Sequence, residues 1–357
     1  MSMSSGGTMN TRMLMCRWMG RACLPLFLLF GLGVTASAQE VISLVGSGSN
    51  LPSPLYQVWV QNYNKRNSKI QVHYQGLGTG ESIALITAGS GDFGGGEVPI
   101  SDAQLRAAKV KIVHVPTVLA GIVPVYNVPG VDRQLRFSGE VMARILLGTT
   151  KSWDDPAIVR LNPGAKLPHL AITVVHRNEG KGSNYILSDF LSKTSPEWRA
   201  RIGKTPSPKW PVGETAERGQ DMVGKVKSIA GAFGYVELGF VLNDAAVHAG
   251  SVQNASGEFV SASPESITAA CLAMEKTMPA DLRVSLANAP GKSSYPIASF
   301  TWLYVPVSGL KAERASALAD FLRWALSDGQ GIAREHGYAP LPPSILSKSS
   351  ALAGQIK

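Results

Sequence analysis

Three times along this chain a short apolar run passes through a loop of glycines and small hydroxyl residues into a stretch with helical spacing, a repetition that points to an α/β fold. In the first unit the run 41–45 leads through Gly46-Ser47-Gly48-Ser49-Asn50 to Pro52, suited to a first helical turn, and then to Leu55, Trp59 and Tyr63. In the second, the run 70–74 leads through Gly76-Leu77-Gly78-Thr79-Gly80 to Ile83, Ile86 and Thr87. In the third, the run 172–175 leads through Arg177-Asn178-Glu179-Gly180-Lys181-Gly182-Ser183 to the helix-like segment 185–191. Glycines let backbone approach a ligand, and a helix start offers unpaired N–H groups and a positive dipole end. The third loop adds the fork of Arg177, matched to a tetrahedral oxyanion, and the hydroxyl of Ser183.

Before any fold argument, residues 1–38 are set aside as an export signal. Arg12, Arg17 and Arg21 precede the apolar run 24–34, which is too short to span a bilayer, and Ala36-Ser37-Ala38 gives a small-x-small cleavage pattern before Gln39. Cys23 precedes the apolar run, so it is misplaced for lipid attachment. Cys16 and Cys23 leave with the signal; Cys271 remains in the helix-like segment 267–274 and reads as a small core residue. What is left of the 357 residues exceeds what one hydrophobic core normally serves, so two lobes are expected. The formal net charge is +9, but outside the signal the charges are scattered, with no basic stripe interleaved with aromatics, so nucleic acid is not the expected partner. No second long apolar segment follows, and the processed chain is expected to be soluble.

Asp92-Phe93-Gly94-Gly95-Gly96-Glu97 places three glycines before a carboxylate, which demands close backbone approach or a flexible loop. The apolar stretch 112–125 would connect into a second lobe, 294–307 would return from it, and 312–326 reads as a helix. Catalytic readings are weaker. Gly180-Lys181-Gly182-Ser183 departs from a nucleotide phosphate loop, because Gly182 separates the lysine from the hydroxyl residue. His73, His114, His169, His176, His248 and His336 form no metal-ligand pair at helical spacing, and Ser183 near His176 lacks the strained Gly-x-Ser-x-Gly turn of a hydrolase nucleophile. Trp153 and Trp210 read as packing residues.

Six ordered segments carry a family resemblance: residues 46–54, 74–78, Asp92-Phe93-Gly94, Trp153-Asp154-Asp155-Pro156-Ala157-Ile158, 177–183 and Gly234-Tyr235-Val236-Glu237. Together they make the chain resemble, from about residue 41 to 345, the phosphate-binding periplasmic component of the ABC-type phosphate transporter. The resemblance implies a two-lobed periplasmic binding protein fold, type II-like, of two mixed-sheet α/β domains joined by crossover strands. The corresponding division is 39–116 for the first part of lobe I, 117–292 for lobe II and 293–357 for the second part of lobe I. The ligand-binding set it implies is Asn50, Leu51, Thr79, Glu97, Arg177, Gly182 and Ser183, with Glu179 holding the arginine and Lys181 beside it.

In that family Glu97 falls at a discriminating aspartate. Dibasic phosphate has a proton to donate to a fixed carboxylate and sulfate has none, so the acid rejects sulfate. Several positions depart from the pattern: Glu97 and Glu179 are one methylene longer than the family aspartates, Asn50 and Leu51 replace threonine and phenylalanine, and Glu81 and Lys181 stand where glycine and serine are usual. The three glycines would let the loop of Glu97 back away, and Lys181 would pair with Glu81 or Glu97 or face solvent. The expected function is periplasmic capture of inorganic phosphate and its delivery, as a monomer, to a membrane permease and ATPase, with no cofactor, metal or catalysis. Another oxyanion, a phosphorylated metabolite, a scavenging or sensing role without transport, and phosphate-ester hydrolysis stand as alternatives.

Overall fold

The computed structural model describes residues 41–242 and 244–357. The expected export signal lies outside the described residues. Strand β1 (Ile42–Gly48) leads to helix α1 (Ser53–Arg66), β2 (Ile70–Gly76) to α2 (Thr79–Thr87), and β3 (Phe93–Gly96) by way of a short helix to the long β4 (Ile112–Tyr126). Further on, β5 (Thr173–Arg177) leads to α3 (Gly182–Thr194), β6 (Glu214–Ala216) to α4 (Gly219–Ser228), then come β7 (Ala232–Glu237), β8 (Ala298–Pro306) and α5 (Ala312–Ala325). All three of the strand, loop, helix units read from the sequence are present.

These strands lie in the order β2-β1-β3-β8-β4-β7-β5-β6, and the architecture is the two-lobed α/β arrangement expected. β4 joins the halves. Its first part, Ile112 to Gly121, pairs antiparallel with β8, while Ile122 to Tyr126 pairs antiparallel with β7. The parallel strands β1, β2 and β3 lie on one side of this crossing pair, and β5 and β6 run parallel to β7 on the other. Both faces of β4 and β8 are buried, which explains why their sequences read as continuous apolar runs without alternation.

Helix α1 shows how the first half is held. Leu55, Tyr56, Trp59, Val60 and Tyr63 are buried at helical spacing, and Trp59 Nε1 donates to the Gly329 carbonyl at 2.8 Å. Around Tyr63 gather Phe321 and Trp324 of the α5 helix, with ring centroids 5.2 and 5.6 Å away. Asp92 anchors the start of β3. It accepts from Val45 N at 2.7 Å and from Arg314 Nε and Nη2 at 2.8 and 2.5 Å, tying β1, β3 and α5 together. Asp92→Ala should lower the unfolding free energy by about 2 kcal/mol, because it strands a backbone N–H and removes a forked charge-assisted pair that remains partly open to water. Urea denaturation of the variant checks this, and a loss no larger than that of Arg314→Ala would show that the Val45 bond contributes nothing.

The glycines before Glu97 depart from the loop reading. Gly94, Gly95 and Gly96 are buried in β3, paired to β1 on one side and β8 on the other. A Cβ on Gly94 would lie 2.7 Å from Ser82 Oγ and 3.0 Å from Tyr304 Cδ2, and one on Gly96 would strike Thr79 and Tyr304. Close packing, not flexibility, requires glycine there, and the strand has no freedom to back away.

Candidate functional site

The C-terminal ends of strands from both halves converge on one buried polar region. β1 delivers Ser49, Asn50 and Leu51, β3 delivers Glu97, β5 delivers Arg177 and β7 ends at Glu237. The starts of two helices add Thr79 of α2 and Gly182 and Ser183 of α3. Gly78, at φ +114°, makes the turn that brings α2 in, and its N–H donates to the Gly48 carbonyl at 2.8 Å.

Glu97 is fully buried among hydroxyls. Thr79 Oγ1 donates to Oε2 at 3.3 Å and Thr301 Oγ1 to Oε1 at 3.4 Å. Thr301 sits where the β4–β8 register shifts, a bulge that re-aims its side chain. Its carbonyl accepts from Thr117 Oγ1 at 3.0 Å, and Thr117 in turn bonds Tyr56 at 2.6 Å, so the backbone that carries the Thr301 hydroxyl is tied into a buried chain. Burial pushes the Glu97 carboxyl up to about 7, with the Glu237 carboxylate adding to the rise and the hydroxyls of Ser49, Thr79 and Thr301 opposing it. A group near half-ionised at neutral pH can accept a proton from a ligand or keep its own.

Arg177 is 2% exposed and held from several sides. Its N–H donates to Tyr235 Oη at 3.0 Å, its carbonyl accepts from Trp210 Nε1 at 3.0 Å, and Nη2 donates to the Glu217 carbonyl at 2.9 Å. Nη1 donates to Glu237 Oε1 at 3.4 Å, a long contact within a buried ion pair. Arg177 Nε and Glu237 Oε2 are buried with no partner among the described residues. A guanidinium in this setting has donors left over for a ligand.

Several expected roles are redistributed. Glu179 is exposed and does not touch the arginine, whose carboxylate partner is Glu237. Lys181 pairs with Glu217 Oε1 at 3.2 Å, neither with Glu81 nor with Glu97, and Asn178 bonds the same carboxylate. The Leu51 amide donates to Ser49 Oγ at 3.1 Å and is occupied by the chain itself. Asn50 stands at the edge, lining a cavity of about 250 Å³ with Ser53, Gln57, Arg218 and Glu237. Thr79, Glu97, Gly182 and Ser49 do come together: a Cβ on Gly182 would collide with Glu97 Oε2 and lie 3.2 Å from Ser49 Oγ. Ser183 is buried at the same helix start.

Sequence reasoning left Ser49, Glu237 and Thr301 off the site. Ser49 and Glu237 lay inside segments already singled out; Thr301 had no local signal, since it lies in a strand buried on both faces. His176 stacks on Trp210 with centroids 4.9 Å apart and its Nδ1 faces the Arg177 carbonyl at 3.2 Å, so the Ser183–His176 pair of a hydrolase is not formed. Trp153 is a packing residue, fully buried with Nε1 donating to the Gly231 carbonyl at 3.0 Å. Burial pushes the Cys271 thiol up to about 12, as suits an unreactive core residue. Among the described residues no group of three or more His, Cys, Asp or Glu could hold a metal ion, and no helix is long and apolar enough to cross a membrane.

Two lobes meeting at oxyanion-matched groups define a solute-binding protein class, and residues 33–329 match the family described as the PBP superfamily domain. Within it, the chain belongs to the family of the phosphate-binding proteins PstS. It is 35% identical over 332 residues to PstS of Pasteurella multocida, covering 93% of this chain and 94% of the relative. It is 32% identical over 318 residues to PstS of Xylella fastidiosa strain Temecula1, covering 89% and 86%. The crystal structure of a phosphate-binding protein from Stenotrophomonas maltophilia superimposes with a TM-score of 0.62 at 19% identity, covering 87% of this chain and 94% of that one, and shows the shared fold.

Proposed function

We propose that this protein captures inorganic phosphate between its lobes and delivers it to the permease and ATPase of an ABC transporter. The observation that carries the reading is a buried Arg177 with an unspent Nε donor, paired to Glu237, whose charge in turn acts on the buried Glu97 carboxyl. Phosphate satisfies both, because its oxygens accept from the guanidinium and its remaining proton is donated to the carboxylate. Gly182, Ser183 and Thr79 would complete the contacts, with Asn50 and the Leu51 amide joining only if Ser49 releases that amide. Lys181 and Glu217 would close the rim as an ion pair. Residues 39–116 with 293–357, and 117–292, would form the two lobes, closing when the anion bridges them. The leader 1–38 supports export to the periplasm.

Calorimetric titration with phosphate and then sulfate tests this. Phosphate is expected to bind at least 100-fold more tightly than sulfate, because sulfate faces Glu97 as an unpaired acceptor. Equal affinities would end the proton-reading role. One observation favours a second reading: the cavity of about 250 Å³ beside Glu237 has room for the organic part of a phosphomonoester. Binding of glycerol phosphate more tightly than inorganic phosphate in the same titration would select it.

A further inference from the structure

Glu97 carries one methylene more than an aspartate, and the fold dictates where that methylene goes. The strand before it is hydrogen-bonded on both edges, and Gly94 and Gly96 are packed so closely against Ser82, Thr79 and Tyr304, with Gly95 against Tyr74 and Leu303, that the backbone has nowhere to retreat. The side chain therefore extends across the cleft. Its Oε2 rests against Gly182, the first residue of α3, in the volume a Cβ there would need, while Ser49, Thr79 and Thr301 present hydroxyls to it. These groups, the helix start and the surrounding hydroxyls, are the ones expected to meet an anion. A carboxylate from the chain already stands among them.

We propose that the Glu97 carboxylate is an internal occupant of the anion cradle, which phosphate must displace to bind, so that the length of residue 97 sets the affinity threshold. This rests on the phosphate reading above. An incoming anion takes over the hydroxyls of Thr79 and Ser49 and the space over Gly182, and Glu97 then turns aside to become its proton acceptor. Gly182 is essential to the arrangement because only glycine leaves room for the longer acid. With aspartate at 97 the oxygen withdraws from Gly182, the cradle stands empty, and no displacement is needed.

Two measurements on anion-stripped protein decide it. The first is a thermal double-mutant cycle with no phosphate present. Gly182→Ala is expected to lower Tm by several degrees in the parent, where the new methyl meets Glu97, and hardly at all when combined with Glu97→Asp. An equal loss in both backgrounds, or none in either, overturns the contact. The second is phosphate calorimetry, in which Glu97→Asp is expected to bind at least 10-fold more tightly than the parent; equal or weaker binding overturns the displacement. If neither protein takes up phosphate, the phosphate reading fails and displacement fails with it, whereas the cycle still decides whether Glu97 occupies the cradle.

Discussion

Arg177→Gln should weaken phosphate binding at least 100-fold and lower the unfolding free energy by about 3 kcal/mol. The two effects have different origins. Binding suffers because a desolvated anion loses the cation that faces it, a truncation that costs about 2–5 kcal/mol in a buried charge pair. Stability suffers because Glu237, 4% exposed, loses its ion-pair partner, and its cost of burial then stands uncompensated. A second substitution separates them. In Arg177→Gln/Glu237→Gln most of the stability should return, since neither member of the pair is charged, but phosphate binding should not. Paired calorimetry and urea denaturation read both quantities. Recovery of binding in the double variant would mean that Arg177 serves only to neutralise Glu237 and never meets the ligand.

That Arg177 meets Glu237 and not Glu179 also shows where the sequence stops being legible. The three loops, the crossing stretch 112–125 and its return could be read because periodicity and glycine placement are local properties. The partner of Arg177 is 60 positions away along the chain, and only the parallel pairing of β5 with β7 sets the two side by side. The neighbouring acid, Glu179, was the nearer candidate, yet it lies on the exposed side of the loop. Lys181 found Glu217 for the same reason, as β6 runs beside β5 and brings residue 217 to the loop. The glycine run before Glu97 fits either close backbone approach or a flexible loop when the sequence is taken alone. Burial between β1 and β8 selects the first, and only the tertiary structure shows that Gly94 and Gly96 admit Ser82, Thr79 and Tyr304 and that Gly95 admits Tyr74 and Leu303.

The fixed backbone makes Glu97 an unusual carboxylate for stability as well as for binding. Its folded value is raised from 4.5 to about 7, chiefly by burial. Below about pH 4.5 the acid is protonated whether the chain is folded or not, so it costs nothing. Between 4.5 and 7 the folded protein keeps a proton that the unfolded chain has released, and stability falls as pH rises; above 7 the full cost of a buried charge persists, about 3 kcal/mol for a shift of this size. This is opposite in sign to an ordinary salt-bridged acid. The side chain titrates against Glu237 and amid the phenols of Tyr56, Tyr74, Tyr304 and Tyr338, none of which offers it a cation. Urea denaturation of phosphate-free protein from pH 4 to 8 should therefore show the parent losing about 3 kcal/mol relative to Glu97→Gln, which has nothing to ionise there. A constant difference across that range would mean that Glu97 is ionised at no cost, and with it would go the argument that a proton shared between this acid and phosphate is what tells phosphate from sulfate.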